Sequence, residues 1–441
     1  MIYQKYRNDI LEGYLVNQQQ LPSIRQSCKI FKASQTTVEH AYDQLVNEGY
    51  VTAYPQRGYF VHIDQEHIQL HKQLDQYQIH HTPIVYQYDF RSQTVSQDSF
   101  EVRIWKRYLK DVLDDMTSMS TYGDSQGEYV LREALCQYAY KVRGVLSQPH
   151  QILVGSNFQA LLFVLCGLFD KGSVIAMEEQ DTSQAKRVFE SYGFHVVMIK
   201  KNNEGIDLEE MNKFHIDVLY ISSASCGLKK KPISQKQRDQ LLKYTALHNI
   251  LIIEDDYNGE LTYHSKDRFA MQGFSSKDNV IYCGSFSRLL LPSLRISYMV
   301  FNEEFYQRYC RLKTQYGPTA SKLEQLAFTQ YIVDGYLQKH LKKLKKEYKE
   351  KNKTMSQALK KYIPYPFYLD EAYLCYHIEL PELDENLFMK LCQKKKIVIN
   401  PIKNQQLSLS FASIPSSHID EAFMTIKQII HQCELPVNTP Y

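Results

Sequence analysis

Two short apolar, β-rich runs, Ile250 to Ile253 and Val280 to Tyr282, each end in a polar cluster, and this pairing constrains the chain more than any other feature. The first cluster is Glu254-Asp255-Asp256-Tyr257-Asn258-Gly259-Glu260. The second is Cys283-Gly284-Ser285-Phe286-Ser287-Arg288, continuing through Pro292-Ser293-Leu294-Arg295-Ile296-Ser297-Tyr298. Open α/β sheets hold their ligands at strand ends of this kind. From Asp89 onward helical and strand patterns alternate, which predicts a doubly wound α/β domain with a pocket where the two clusters meet.

Residues 1–61 read as a separate unit. Tyr3, Tyr6, Ile10 and Tyr14 recur at helical spacing. Ser23, in Leu21-Pro22-Ser23-Ile24-Arg25-Gln26, can accept from the free N–H groups of a helix's first turn, and Ser34 caps a longer helix from Gln35 to Glu48. Val38, Ala41, Tyr42 and Leu45 share one face of that helix and leave Gln35, Thr36, Thr37 and His40 towards the other. Gly49 ends it. Tyr50 to Val61 then reads as a two-stranded wing with Arg57 and Gly58 at its tip, so the unit is expected to be a winged helix-turn-helix.

Composition excludes some classes. With 441 residues, 44% hydrophobic and 23% charged, the chain has room for two or three packed domains. Its net charge of +3 by itself implies neither nucleic acid nor membrane. Nine scattered cysteines without a CxxC pair point to free thiols in a reducing cytoplasm, and no metal site is suggested. No signal peptide is expected, and the apolar run from Ala160 to Phe169 is too short to span a bilayer. Residues 62–86 are polar and rich in His and Gln, as a solvated linker is, and their histidine spacings match no usual ligand set.

The N-terminal pattern, LPSIRQ, then SQTTVEHAYDQLVNEGY, then RGYFV, resembles the GntR family of bacterial repressors. The resemblance implies operator DNA as partner. Gln35, Thr36, Thr37 and His40 would lie in the major groove, Arg25 on phosphate, and Arg57 with Gly58 in the minor groove or on phosphate. One departure is Gln35, where a basic residue is usual, and the unit carries six Lys/Arg against five Asp/Glu, so electrostatic attraction should be modest. A winged helix that binds protein instead is the other reading.

The strand ending in Asp-Asp-Tyr, followed by Gly-Ser-Phe-Ser-X-X-Leu-X-Pro-X-Leu-Arg-X-X-Tyr, resembles the cofactor site of fold type I aminotransferases, which use pyridoxal phosphate. That resemblance implies a phosphate cradle from Ser156, Asn157, Ser285, Ser287 and Arg295, with Asp255 at the pyridine nitrogen and Tyr257 at the ring hydroxyl. Tyr122, in Tyr122-Gly123-Asp124-Ser125-Gln126-Gly127, would reach the partner subunit's cofactor phosphate, although the segment reads equally as a glycine turn before a helix. Arg288 stands where the family has its Schiff-base lysine, and a guanidinium that stays protonated cannot be that nucleophile. Other family positions change with it. Glu178 to Thr182 lacks the stacking aromatic, Ser223 to Pro232 lacks the pocket Asn or His, and Ser408 stands where a carboxylate-binding Arg is expected. No covalent cofactor is therefore expected, which leaves non-covalent pyridoxal phosphate or another phosphate-bearing ligand.

The combination resembles the MocR subgroup of GntR regulators. It implies a winged helix-turn-helix over 1–61, a linker over 62–86, and an aminotransferase-like effector and dimerisation domain over 87–441, ending in a small α+β domain. It further implies a non-catalytic head-to-tail homodimer in the cytoplasm that answers to an unidentified small-molecule effector. A working aminotransferase with a DNA-binding appendage is the competing hypothesis, and it requires a lysine, the nearest being Lys229, Lys230 and Lys231. The Lys-rich stretch from Lys339 to Lys361 reads as a solvated helix face or as a secondary contact to DNA backbone.

Overall fold

The computed structural model describes the chain apart from residues 63–85, 92–94, 97–98, 180–183, 203–204, 223–233, 257–258, 262–268, 372, 403–404 and 434–441. Most of the expected linker, Tyr257, Thr182 and Lys229 to Lys231 therefore lie outside the described residues. Two compact units result, Met1–Ile84 and Val85–Tyr441.

In the first unit, α1 (Ile2–Leu11), α2 (Ile24–Phe31) and α3 (Gln35–Asn47) precede a hairpin of β1 (Val51–Tyr54) and β2 (Gly58–Val61). Ser23 and Gln26 form a reciprocal capping box on α2, and Ser34 Oγ accepts from Thr37 N at 3.3 Å on α3. The first helix is shorter than the tyrosine spacing suggests. Gly13 takes φ +83° just after it, so Tyr14 leaves the helical face and is 73% exposed. A chain of hydroxyls fixes α2 to α3. Tyr6 Oη lies 2.9 Å from Ser27 Oγ, Ser27 Oγ 2.8 Å from Tyr42 Oη, and Tyr42 Oη donates to the Pro22 carbonyl at 2.7 Å. All three side chains are buried, so each polar atom needs such a partner.

The second unit is built on seven strands: β3 (Ile152–Gly155), β4 (Val174–Glu178), β5 (His195–Ile199), β6 (Val218–Ser222), β7 (Leu251–Asp256), β8 (Val280–Ser285) and β9 (Ser297–Val300). Their order is β3-β9-β8-β7-β6-β4-β5, with β9 antiparallel to both its neighbours and the pairings among β8, β7, β6, β4 and β5 parallel. Apolar side chains leave both faces into separate core clusters, which accounts for the near-continuous hydrophobic runs in the sequence. A small C-terminal domain follows, with an antiparallel sheet of β10 (Phe367–Asp370), β11 (Cys375–Glu379) and β12 (Gln406–Ser410). The long Lys-rich helix Tyr336–Tyr362 buries Leu337, Leu341, Leu344, Tyr348, Met355 and Leu359 along one stripe and leads into that sheet. Among the described residues no helix is long and apolar enough to cross a membrane.

Candidate functional site

In the winged unit the side chains of Arg25, Gln35, Thr36, Thr37, His40 and Arg57 are all exposed, while Gly58 is half-buried. The residues at the start of α3 are held by its cap, because Ser34 Oγ sits 3.0 Å from Thr36 Oγ1 and 2.7 Å from Thr37 Oγ1. Gln35 donates to Glu39 at 2.8 Å, one helical turn along. Arg57 lies over the Tyr54 and Phe60 rings, its Cζ 5.9 Å from each centroid. Gly58 takes φ +98°, which gives it a conformational reason to be glycine.

In the large unit the sheet register brings the cradle residues to one edge. Gly155 pairs with Ser297, and Ser297 pairs with Ser285. Ser297 donates to Ser285 Oγ at 2.9 Å, and Ser285 Oγ lies 3.4 Å from both Ser287 N and Ser287 Oγ. Across the same edge, Ser156 N donates to Thr319 Oγ1 at 3.4 Å. Asn157 caps the helix Phe158–Cys166 by accepting from Ala160 N at 2.9 Å. Ser156, Asn157, Ser285 and Ser287 thus converge. Ser297 and Thr319, which sequence reading missed, join them. Gly284 closes the arrangement, since a Cβ there would sit 2.5 Å from the Tyr298 ring on the neighbouring strand. Two other expected members stand apart on the single chain: Arg295 is exposed at φ +44°, and Tyr122 is 97% exposed.

Asp255, one residue before the end of β7, has Ser222 and Cys283 as register neighbours and accepts from Tyr220 Oη at 2.6 Å. Arg288 is 7% exposed, and its Nη2 donates to the Tyr373 carbonyl at 3.4 Å, at the edge of the small domain. Ser408 Oγ lies 2.8 Å from His377 Nδ1 across β11 and β12. His377 Nε2 in turn is 3.5 Å from Asp370 Oδ2 and 3.6 Å from Cys375 Sγ. Burial, then the Asp370 charge, push the Cys375 thiol up, so it is not a nucleophile near neutral pH.

The described part of this edge offers hydroxyls and backbone N–H groups, with Arg288 buried next to Ser287. Hydroxyls and backbone N–H groups at a strand-to-helix turn suit a phosphate. The buried residue next to Ser287, where the motif leads one to expect a cofactor-attaching lysine, is Arg288, and a guanidinium is not an amine nucleophile.

Behind Asp255, on the opposite face of β7, a charged cluster is fully enclosed. Arg143 donates to Asp256 through Nε at 2.5 Å and Nη2 at 3.2 Å, and Tyr282 Oη donates to Asp256 at 2.7 Å. Glu260 accepts from Tyr138 Oη at 3.2 Å, and Glu254 accepts from the Met271 and Gln272 backbone N–H groups. Burial first, and then the Asp256 charge, push the Glu254 and Glu260 carboxyls up from 4.5 to about 7. Carboxyls with raised folded-state pKa values keep protons that the unfolded chain releases. Their stabilisation is complete below the unfolded value and is lost as pH rises from about 4.5 through about 7. The limiting slope is about 1.4 kcal/mol per pH unit for each group. Glu260→Gln is therefore expected to flatten the dependence of Tm on pH between 5 and 7 relative to wild type. Parallel curves would contradict the assignment.

Two family profiles together span nearly the whole chain. Residues 1–61 match bacterial regulatory proteins of the gntR family, and residues 85–426 match aminotransferase class I and II. The chain belongs to the MocR-type GntR regulators. It is 28% identical to the uncharacterized HTH-type transcriptional regulator YdeL of Bacillus subtilis, over 97% of this chain and 95% of that protein. It is 26% identical to the probable rhizopine catabolism regulatory protein MocR of Rhizobium meliloti, covering 84% of this chain and 78% of the relative. In fold it is similar to an archaeal alanine:glyoxylate aminotransferase, with a TM-score of 0.69 at 18% identity over 82% of this chain and 95% of that one. The regulator is thus a GntR-type DNA-binding unit fused to an aminotransferase-like domain.

Proposed function

We propose that the aminotransferase-like domain of this regulator binds a phosphate-bearing effector without Schiff-base chemistry, and that it joins two winged units in a head-to-tail homodimer. The observation that carries this reading is that Arg288, which the motif places where the family has its lysine, is buried just after Ser285, whose hydroxyl accepts from that of Ser297. Ser408, which the motif places where a carboxylate-binding Arg is expected, supports it, since its hydroxyl pairs with His377 instead. The homodimer is supported by apolar side chains exposed near Tyr122: Met116, Tyr129 and Val130 are 68%, 57% and 46% exposed. The effector is sought by thermal shift on the full chain, since a specific binder stabilises in proportion to RT ln(1 + [L]/Kd).

The start of α3 is proposed to read base edges while Arg25 and Arg57 contact backbone or minor groove. Thr36→Ala or His40→Ala is then expected to relax sequence preference, by about 1 to 3 kcal/mol for each well-formed hydrogen-bonded pair with a base edge. Arg25→Ala or Arg57→Ala should weaken binding to all duplexes and lower the salt slope by roughly one. Selection from a randomised duplex pool separates the two behaviours. Equal, sequence-independent losses at all four positions would overturn the assignment.

A further inference from the structure

The wing of this regulator is more than a hairpin. A two-stranded hairpin alone is marginal in water, and here the free edge of β2 is taken up by the segment before α2. Gln18 N donates to the Val61 carbonyl at 2.8 Å, Val61 N to Gln19 O at 2.9 Å, and Leu21 N to Tyr59 O at 2.8 Å, with Gln20 bridging Phe60. The main-chain pairing stops there, short of the tip. The side chain of Gln20 continues it: Nε2 donates to the Arg57 carbonyl at 2.7 Å.

Three further observations meet at this bond. Tyr54 pairs with Gly58, so the tip is the three-residue loop Pro55, Gln56 and Arg57, with Gln56 at φ +61° and Gly58 at φ +98°. A Cβ on Gly58 would lie 3.0 Å from Gln20 Nε2, so the amide occupies the space that the glycine leaves. The Arg57 guanidinium rests over the Tyr54 and Phe60 rings, which themselves meet edge to face at 5.6 Å. The carbonyl of Arg57 is thus tied to Gln20 and its side chain to two rings of the wing. An arginine on a free loop would lose most of its conformational freedom on meeting DNA, whereas one held in this way has already lost part of it.

We infer that Gln20 is a positioning residue for DNA recognition, holding the wing tip in the conformation that presents Arg57 to the duplex. The inference rests on the proposed contact between Arg57 and DNA. Gln20 is itself exposed, so its hydrogen bond contributes little to folding, and the consequence of losing it falls on the tip.

A double-mutant cycle on the full-length protein tests it, using fluorescence anisotropy with a mixed-sequence 30-base-pair duplex across a range of salt. Gln20→Ala is expected to weaken binding about five- to tenfold, the equivalent of one hydrogen bond, and to lower the salt slope by roughly one while leaving Tm nearly unchanged. Gln20→Asn, with an amide one carbon too short for the Arg57 carbonyl, should behave as Gln20→Ala does. In an Arg57→Ala background Gln20→Ala should add almost nothing. Additive losses would mean that Gln20 touches DNA directly and would overturn the inference, as would unchanged binding by Gln20→Ala alone. If Arg57→Ala itself left binding and salt slope intact, the wing contact would fail first, and the inference with it.

Discussion

Full-length regulator incubated with excess pyridoxal phosphate and then freed of unbound cofactor is expected to be colourless, and borohydride is expected to fix no adduct on the chain. The expected difference from a lysine-bearing relative is total. Schiff-base formation needs a neutral amine, and a guanidinium does not supply one at any pH at which the fold survives. The Arg288 side chain is also engaged elsewhere, since its Nη2 donates to the Tyr373 carbonyl. Arg288→Lys should restore attachment only weakly, because the sequence from Glu178 to Thr182 lacks the aromatic residue that the family resemblance leads one to expect there. A reducible adduct mapped by mass spectrometry to Lys229, Lys230 or Lys231 would sink the non-catalytic reading and revive the aminotransferase. Non-covalent binding is a separate outcome. The proposed phosphate contact at Ser285 and Ser287 does not depend on residue 288, so a thermal shift without colour agrees with the proposal.

Truncation after Val61 is expected to produce the other large effect, a loss of about two to four orders of magnitude in affinity for a two-half-site operator, while weak binding persists. The reasoning begins with charge. Six basic and five acidic residues give the winged unit a net of only +1, too little for one copy to hold DNA tightly at physiological salt. Two joined copies gain from effective concentration if their half-sites lie on one face of the duplex, about 34 to 36 Å or a multiple of it apart. Circular dichroism must show the fragment folded, and its own core around Val38, Tyr42, Leu45 and Tyr50 supports that expectation. Binding of the full operator by the folded fragment as tightly as by intact protein would refute the dimer argument. Sedimentation of the intact chain as a monomer at working concentration would do so independently.

Much of this molecule could be read before any coordinates, and the boundary follows the range of the interactions. The caps at Ser23 and Ser34 were legible because a cap is decided within four residues. The reading of Arg288 as standing at the lysine position comes from the surrounding motif alone. Ser297 and Thr319 escaped because strand pairing and a loop more than 160 residues away bring them to Ser156 and Ser285. The Gln20 amide escaped for the same reason, since it meets a carbonyl 37 residues on. Tyr14 was misplaced by spacing alone, which took no account of Gly13. Tyr122 had a role assigned across a subunit boundary and is exposed on one chain, whereas Arg295 was expected in the cradle of its own chain and stands exposed apart from the serines.

Gly284 carries a consequence for how such a protein can change over generations. Residue 288 lies beyond the end of β8 and takes no part in its strand pairing. Gly284 is different, because any Cβ there drives into the Tyr298 ring of the adjoining strand, and that ring is itself wholly enclosed. A saturation library scored for folded protein should therefore accept many residues at 288 and almost none at 284. Descent can erase the chemistry of this fold in a single step, yet the glycine beside it stays fixed for as long as the sheet is needed.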